Sequence, residues 1–303
     1  MTECERIVEQ GILPASFFRE ETICDFYVDE KRKKIWAVCI DMLVKLDEIC
    51  RKHKLRYSLA FGSLLGAIRH NGFIPWDDDI DVVMPREDYE KLKRYKSEFS
   101  QPYYLQFPGE DGGYFFSFAK LRNSNTSAIS WAFRDETFNQ GMFLDIFPID
   151  NCKLESADVN WEIINQLILQ LSTNMRRSLK DPTPKDIERF QQFPYRDSNE
   201  VLKELNSIVT QYNDVKTEMG IVAVSTISPA RKLTFKWSDV LDTIDVNFYG
   251  HKIMIPRNYD SILKVTYGDY IKFPPVEERG TWHNSVIFDP DKPYTEYLKS
   301  INV

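Results

Sequence analysis

Apolar positions recur along this chain with two periods. Over residues 28–53 they fall at Ile35, Trp36, Val38, Cys39, Met42, Leu43, Leu46, Ile49 and Cys50, a helical stripe behind the charged run 29–34. Residues 57–61 read as a strand that runs into Gly62-Ser63, and the long helix is expected to pack behind it. A short helix follows, apolar at Leu64, Leu65, Ala67 and Ile68, and Asn71-Gly72 breaks it after Arg69-His70. Residues 79–83 read as the next strand. Pro85 suits the first turn of a helix over 86–99. Strands are expected at 103–107, 114–122 and 142–147, with a loop around Gly109 to Gly113. Residues 1–26 show no period.

From about Ser156 the pattern turns helical, over 161–171, 184–193 and 198–212. A strand is predicted at 222–227, another at 246–255 with a turn or bulge at Tyr249-Gly250, and a helix at 259–267. The fold class expected is α/β (α+β), a mixed sheet with flanking helices. A soft boundary near Asp150 divides a core with its N-terminal helix (1–150) from a helical elaboration and a C-terminal segment folding back on that core (151–303).

Composition narrows the partners. The 303 residues carry a net charge of −7, which argues against nonspecific nucleic-acid binding, a task for basic surfaces. The five cysteines are odd in number and form no CxxC pair, and Cys39 and Cys50 lie on the apolar stripe. They read as reduced, buried thiols of a cytoplasmic protein. Residues 1–10 are polar and acidic, unlike a signal peptide, and no run reaches membrane-spanning length. A membrane-borne partner would be met from the cytoplasmic side.

The chemistry concentrates in residues 62–82. In a strand alternate side chains share a face, so Asp79 and Asp81 are expected to point the same way, roughly 6.6 Å apart at their bases. Such a pair converges on a divalent cation. Solvated carboxylates at a polar strand end are the ordinary alternative, yet aspartates opening an apolar strand repel one another unless a cation offsets them. Asp77 and Asp78 read as capping or orienting the turn. Gly62-Ser63 at a helix N-terminus offers N–H groups, and Ser63 a hydroxyl, to a phosphate. Asp145 sits among Phe143, Leu144, Ile146 and Phe147, and a carboxylate so placed is rarely buried without a partner. Salt bridge, third metal ligand and general base all remain open for it. Asp150, past Pro148, reads as a strand terminator.

Gly-Ser, a gap and Asp-x-Asp on a strand form a nucleotidyltransferase-type layout. The wording around it, "GSLLGAIRHNGFIPWDDDIDVVMPREDYEKL", closely resembles the LicD family of phosphocholine transferases, to which the fukutin-like sugar-phosphate transferases are related. "FLDIFPID", "YGDY" and His283 fit the same family. The resemblance is strong over 57–150, patchy over 235–283 and absent elsewhere. It implies a nucleotidyltransferase-like sheet and a phosphotransferase using Mg²⁺ or Mn²⁺. It implies CDP-choline as the donor and a hydroxyl of a surface-glycan precursor (teichoic acid, lipopolysaccharide or capsule type) as the acceptor. Asp79, Asp81 and Asp145 would be catalytic and metal-binding. Hard carboxylate ligands suit Mg²⁺ better than softer metals.

Gly62, Ser63, Arg69, Lys120, Arg122 and His283 are the candidate substrate-binding residues. Arg69 and its neighbour His70, Lys120 and Arg122 equally fit solvated surface cations, and Arg69 could simply neutralise Asp77 or Asp78. Lys120 and Arg122 share a strand face, where a diphosphate would need such donors. A quaternary ammonium calls for a cation–π cage, and Trp76, Trp131, Tyr267 and Trp282 are candidate rings. Two rivals stand beside phosphocholine transfer. One is transfer of ribitol- or glycerol-phosphate, or nucleotidyl transfer, on the same fold. The other is a non-catalytic nucleotide-binding module.

Overall fold

The computed structural model describes residues 1–223, 230–280 and 285–301. Its N-terminal stretch is more regular than its lack of period suggests. The Thr2 Oγ1 accepts the Glu5 N–H while the Glu5 carboxylate accepts the Thr2 N–H. This capping box opens helix α1 (Glu3–Glu9), and a hairpin of β1 (Glu21–Ile23) and β2 (Phe26–Val28) follows. Asp29 caps α2 (Glu30–His53), whose stripe residues Trp36, Met42, Leu43 and Leu46 are wholly buried.

Then come β3 (Ser58–Leu59), α3 (Phe61–Arg69), β4 (Asp81–Pro85), α4 (Arg86–Leu92), β5 (Tyr103–Gln106), β6 (Ala119–Asn123), β7 (Ser127–Ser130) and β8 (Met142–Cys152). Three expectations shift here. Phe61 belongs to the helix, the aspartate strand begins at Asp81 instead of Asp79, and β6 begins at Ala119 instead of Tyr114. The strand through Asp145 runs on to Cys152, so Asp150 lies inside β8 and does not end it. There the buried Asp150 accepts two bonds from Arg86, at 2.8 and 2.7 Å.

The second half holds α5 (Leu154–Met175), α6 (Pro184–Gln192), α7 (Ser198–Val209), β9 (Met219–Ile221), β10 (Thr234–Lys236), α8 (Trp237–Val240), β11 (Thr243–Phe248), β12 (His251–Pro256), α9 (Tyr259–Tyr267), β13 (Ser285–Asp289) and α10 (Tyr294–Ile301). The strand expected at 222–227 is β9, three residues earlier, and positions 224–227 lie outside the described residues. The strand expected at 246–255 is a hairpin instead, β11 against β12. Tyr249 (φ 50°) and Gly250 (φ 92°) occupy its turn, the left-handed pair that a tight hairpin demands.

Among the described residues seven strands make the main sheet. β8 lies parallel to β4 on one side and antiparallel to β6 on the other, and β3 is antiparallel to β4. The last residues of β8 pair with β9. The fold is thus the expected mixed α/β sheet with flanking helices. Helix α2 packs on β6 and β8 and shares one core with Leu59 of β3, and β12 lies beside β3. One core runs from Ile7 to Tyr270, so the segment 235–270 shares it with the sheet. A smaller core joins α5 and α7 to residues before β10.

Candidate functional site

Register decides which side chains meet. Asp81 on β4 is the partner of Asp145 on β8, and Asp145 is the partner of Lys120 on β6. Three charged residues therefore form one row across three strands, on one face. Asp79 precedes the strand, so its placement does not follow from strand alternation. Its carboxylate still joins the row: Asp79, Asp81 and Asp145 each offer an oxygen, all within 4.8 Å of one another. Asp77, Asp78 and Asp79 form a second such group.

The acidic turn hangs from α2. The Asp77 carbonyl accepts from Trp36 Nε1 at 2.8 Å and from an Arg32 nitrogen at 3.0 Å. Arg32, and not Arg69, is therefore the guanidinium bonded to this turn. Inside the turn the Asp77 carboxylate takes the Asp78 N–H at 3.1 Å and is hydrogen-bonded to Asp79. Burial, reinforced by the charges of Asp79 and Asp78, pushes the Asp77 carboxyl well above the usual range. Burial also raises Asp81 well above it, helped by Asp79, Asp145 and Asp77 and opposed by Lys120. Carboxylates crowded this way are unsettled without a further cation.

Gly62 and Ser63 occupy the first turn of α3. The helix ladder begins with the Leu64 N–H donating to the Ala60 carbonyl at 3.0 Å, so the N–H groups of residues 61–63 precede it. Ser63 Oγ accepts the Asp81 N–H at 2.9 Å and so ties this turn to the aspartate strand. A Cβ at Gly62 would lie 2.7 Å from Asp77 Oδ2, so only glycine lets that carboxylate approach. Phe61 opens the helix at φ 44°, a left-handed value that a bulky side chain adopts only under constraint. Nothing in the sequence signals that strain.

The remaining candidates separate. Lys120 is buried and ion-paired with Asp145, and its ammonium lies 3.4 Å from the centre of the Phe143 ring. It is an internal counter-ion, not a surface cation. Arg122 is also buried, donating to Gln106 Oε1 at 2.5 Å and to the Gly141 carbonyl at 2.8 Å. Arg69 donates to the carbonyls of Tyr270 (2.9 Å) and Lys272 (3.4 Å), and its guanidinium lies over Phe273. Beside it, burial and then the Arg69 charge hold the His70 imidazole down to about 4. Arg69 and His70 thus join α3 to the loop after α9. Among the candidate rings, Trp76 packs against Phe26 and Phe273, and Trp131 stacks under Arg134. His283 and Trp282 lie outside the described residues.

Residues 54–166, from just before β3 into α5, match the family described as LicD/FKTN/FKRP, nucleotidyltransferase domain. The chain carries a LicD-family domain. The sequence resemblance is borne out, and the domain contains every candidate carboxylate, Gly62, Ser63, Arg69, Lys120 and Arg122. The lipopolysaccharide cholinephosphotransferase LicD of Haemophilus influenzae is 27% identical over 81% of this chain and 93% of its own length. Two uncharacterized proteins share shorter stretches. That of Rickettsia prowazekii is 41% identical over 18% of this chain and 20% of its own length. That of Rickettsia typhi is 39% identical over 25% and 24%.

Proposed function

We propose that this chain transfers phosphocholine from CDP-choline to a hydroxyl of a surface-glycan precursor, in a reaction that requires Mg²⁺ or Mn²⁺. The observation that carries this reading is the Asp79–Asp81–Asp145 cluster inside a LicD domain. A relative named for choline phosphate transfer onto lipopolysaccharide, aligned over most of both chains, supports phosphocholine as the transferred group and the acceptor class.

The residues fit a divalent cation. Hard oxygen donors suit Mg²⁺, and burial, with the charges of the neighbouring aspartates, holds Asp77 and Asp81 above the ordinary carboxylate range, a cost that a cation offsets. Asp79, Asp81 and Asp145 would hold the ion, and when bound it supplies charge neutralisation for the diphosphate and for the departing CMP. The N–H groups of Gly62 and Ser63 serve a phosphate oxygen at the start of α3. Asp145, pinned by Lys120, holds its ligand position and takes the proton of the attacking hydroxyl. The new O–P bond forms as the bond to the CMP oxygen breaks, and CMP keeps that electron pair. A nucleotide-activated donor places the reaction on the cytoplasmic side. Among the described residues no helix is long and apolar enough to cross a membrane.

The matched family also takes in the fukutin-like proteins, which keeps CDP-ribitol and CDP-glycerol as rival donors. Release of CMP from CDP-choline, CDP-ribitol and CDP-glycerol, with Mg²⁺ and with a chelator, separates these readings. Metal-dependent release from CDP-choline alone is expected. Preference for another donor overturns the phosphocholine reading, and release that survives chelation overturns the metal.

A further inference from the structure

We propose that Arg122 is a phosphate-binding residue of this site: its free guanidinium nitrogen donates a hydrogen bond to a phosphate oxygen of the nucleotide donor. The inference deepens the phosphotransferase reading above and rests on it.

Strand register puts Arg122 beside the carboxylates. It stands two residues from Lys120 on β6, on the same face and about 6.6 Å away at the base. It pairs with Phe143 on β8 as Lys120 pairs with Asp145. One ring lies against both cations: the Lys120 ammonium is 3.4 Å, and the Arg122 guanidinium carbon 5.4 Å, from the centre of Phe143. Phe143 is itself only half-buried, so this end of the carboxylate row is not sealed.

What sets this arginine apart is a buried charge with no counter-charge. Arg122 is 3% exposed, and lysine or arginine is almost never buried so deeply unless paired. The other buried ones among the described residues obey that rule. Arg6 pairs with Glu3 and Asp41, Lys33 with Glu21, Lys120 with Asp145, and Arg134 with Asp181. Arg122 spends Nε and Nη1 on neutral oxygens alone, those of the Gln106 side chain and the Gly141 carbonyl. Gln106 gives its own N–H groups to Asp111 at 2.6 Å and to the Asn139 carbonyl at 3.3 Å, which turns its oxygen to Arg122. Nη2 is left without a partner among the described residues. It is not shut in either, since the enclosed nitrogens that lack a partner belong to Arg176, Arg177 and Trp237. A buried charge without a partner is costly, and an anion within reach of Nη2 removes that cost. A phosphate held beside the metal ligands is such an anion, and a guanidinium binds it by a charge-assisted bond with no proton changing hands.

The test is calorimetric binding of CMP and of cytidine, in saturating Mg²⁺, to the full-length wild type, Arg122→Met and Arg122→Lys. The first variant deletes the donors and the second keeps a charge, and the melting temperature of each controls for folding. We expect the wild type to bind CMP more tightly than cytidine. In Arg122→Met the CMP affinity should fall about 10–100-fold, the worth of one charge-assisted hydrogen bond, while cytidine binding is unchanged, with Arg122→Lys falling between. A wild type with no preference for CMP overturns the contact without recourse to any variant. Equal weakening of both ligands, or an unweakened CMP, returns Arg122 to a purely structural role and leaves the proposed function standing. A wild type that binds CMP but releases none from CDP-choline overturns that function instead, and the binding comparison still judges Arg122.

Discussion

At the scale of single residues, Asp81 carries a plain charge conflict. It starts a strand, lies beside Asp145 and Asp79, and is repelled by them while the Lys120 charge opposes the repulsion. Its carboxyl is raised above the value it has in the unfolded chain, about 3.9. The charged form therefore costs stability at neutral pH, and that cost fades as the pH falls through the raised value. Metal-free Asp81→Asn should accordingly melt higher than the wild type at pH 7. The rise is roughly 2–4 °C for each kcal/mol of repulsion relieved in a chain of this size. The gap should narrow on acidification, and added Mg²⁺ with a CDP ligand should raise the melting temperature of the wild type alone. Thermal scans between pH 5 and 8 measure all of this. A metal-free mutant less stable than the wild type, or one stabilised equally by Mg²⁺, would count against the site.

At the scale of elements, the site is the meeting of one turn, one helix start and three strands. Gly62 is where the helix start meets the turn, because Asp77 Oδ2 occupies the space of its missing Cβ. In Gly62→Ala the end of a flexible side chain must move, so melting should change little. The moved carboxylate is the one bonded to Asp79, and loss of such an orienting partner typically costs about 10–100-fold in metal affinity. Calorimetry on Gly62→Ala checks this, and undiminished affinity would detach Asp77 from the site.

Much of this arrangement was legible in the sequence. The aspartates, Gly62 and Ser63 lie within one short contiguous stretch, and Asp145 betrays itself by its apolar neighbours. The pairing of Lys120 with Asp145 was not legible, because it depends on the register of β6 against β8. Helix α1 was readable and overlooked: Thr2 and Glu5 have the spacing of a capping box, but the helix is too short to show a period.

Across the whole molecule, the chain after β9 returns to complete the work of its first half. β12 packs beside β3, α9 covers α3, and β13 pairs with β7. Long-range pairings such as Ser127–Ser130 with Ser285–Asp289 join short segments with no shared pattern, which is why sequence periodicity missed them. The consequence is that the carboxylate row sits on a sheet buried on all its strands near the centre, and Asp145 emerges from β8 between Phe143 and Phe147. The central claim is that this buried carboxylate completes a metal site used for transfer. Calorimetric titration of Mg²⁺ with CDP-choline into wild type and Asp145→Asn, run alongside CMP release, tests it most directly. We expect the mutant to lose both metal affinity and turnover, with turnover down by at least about 10²–10⁴-fold, the usual loss for a general base alone. Metal affinity unchanged with turnover lost would leave Asp145 as a base only, and unchanged turnover would contradict the claim outright.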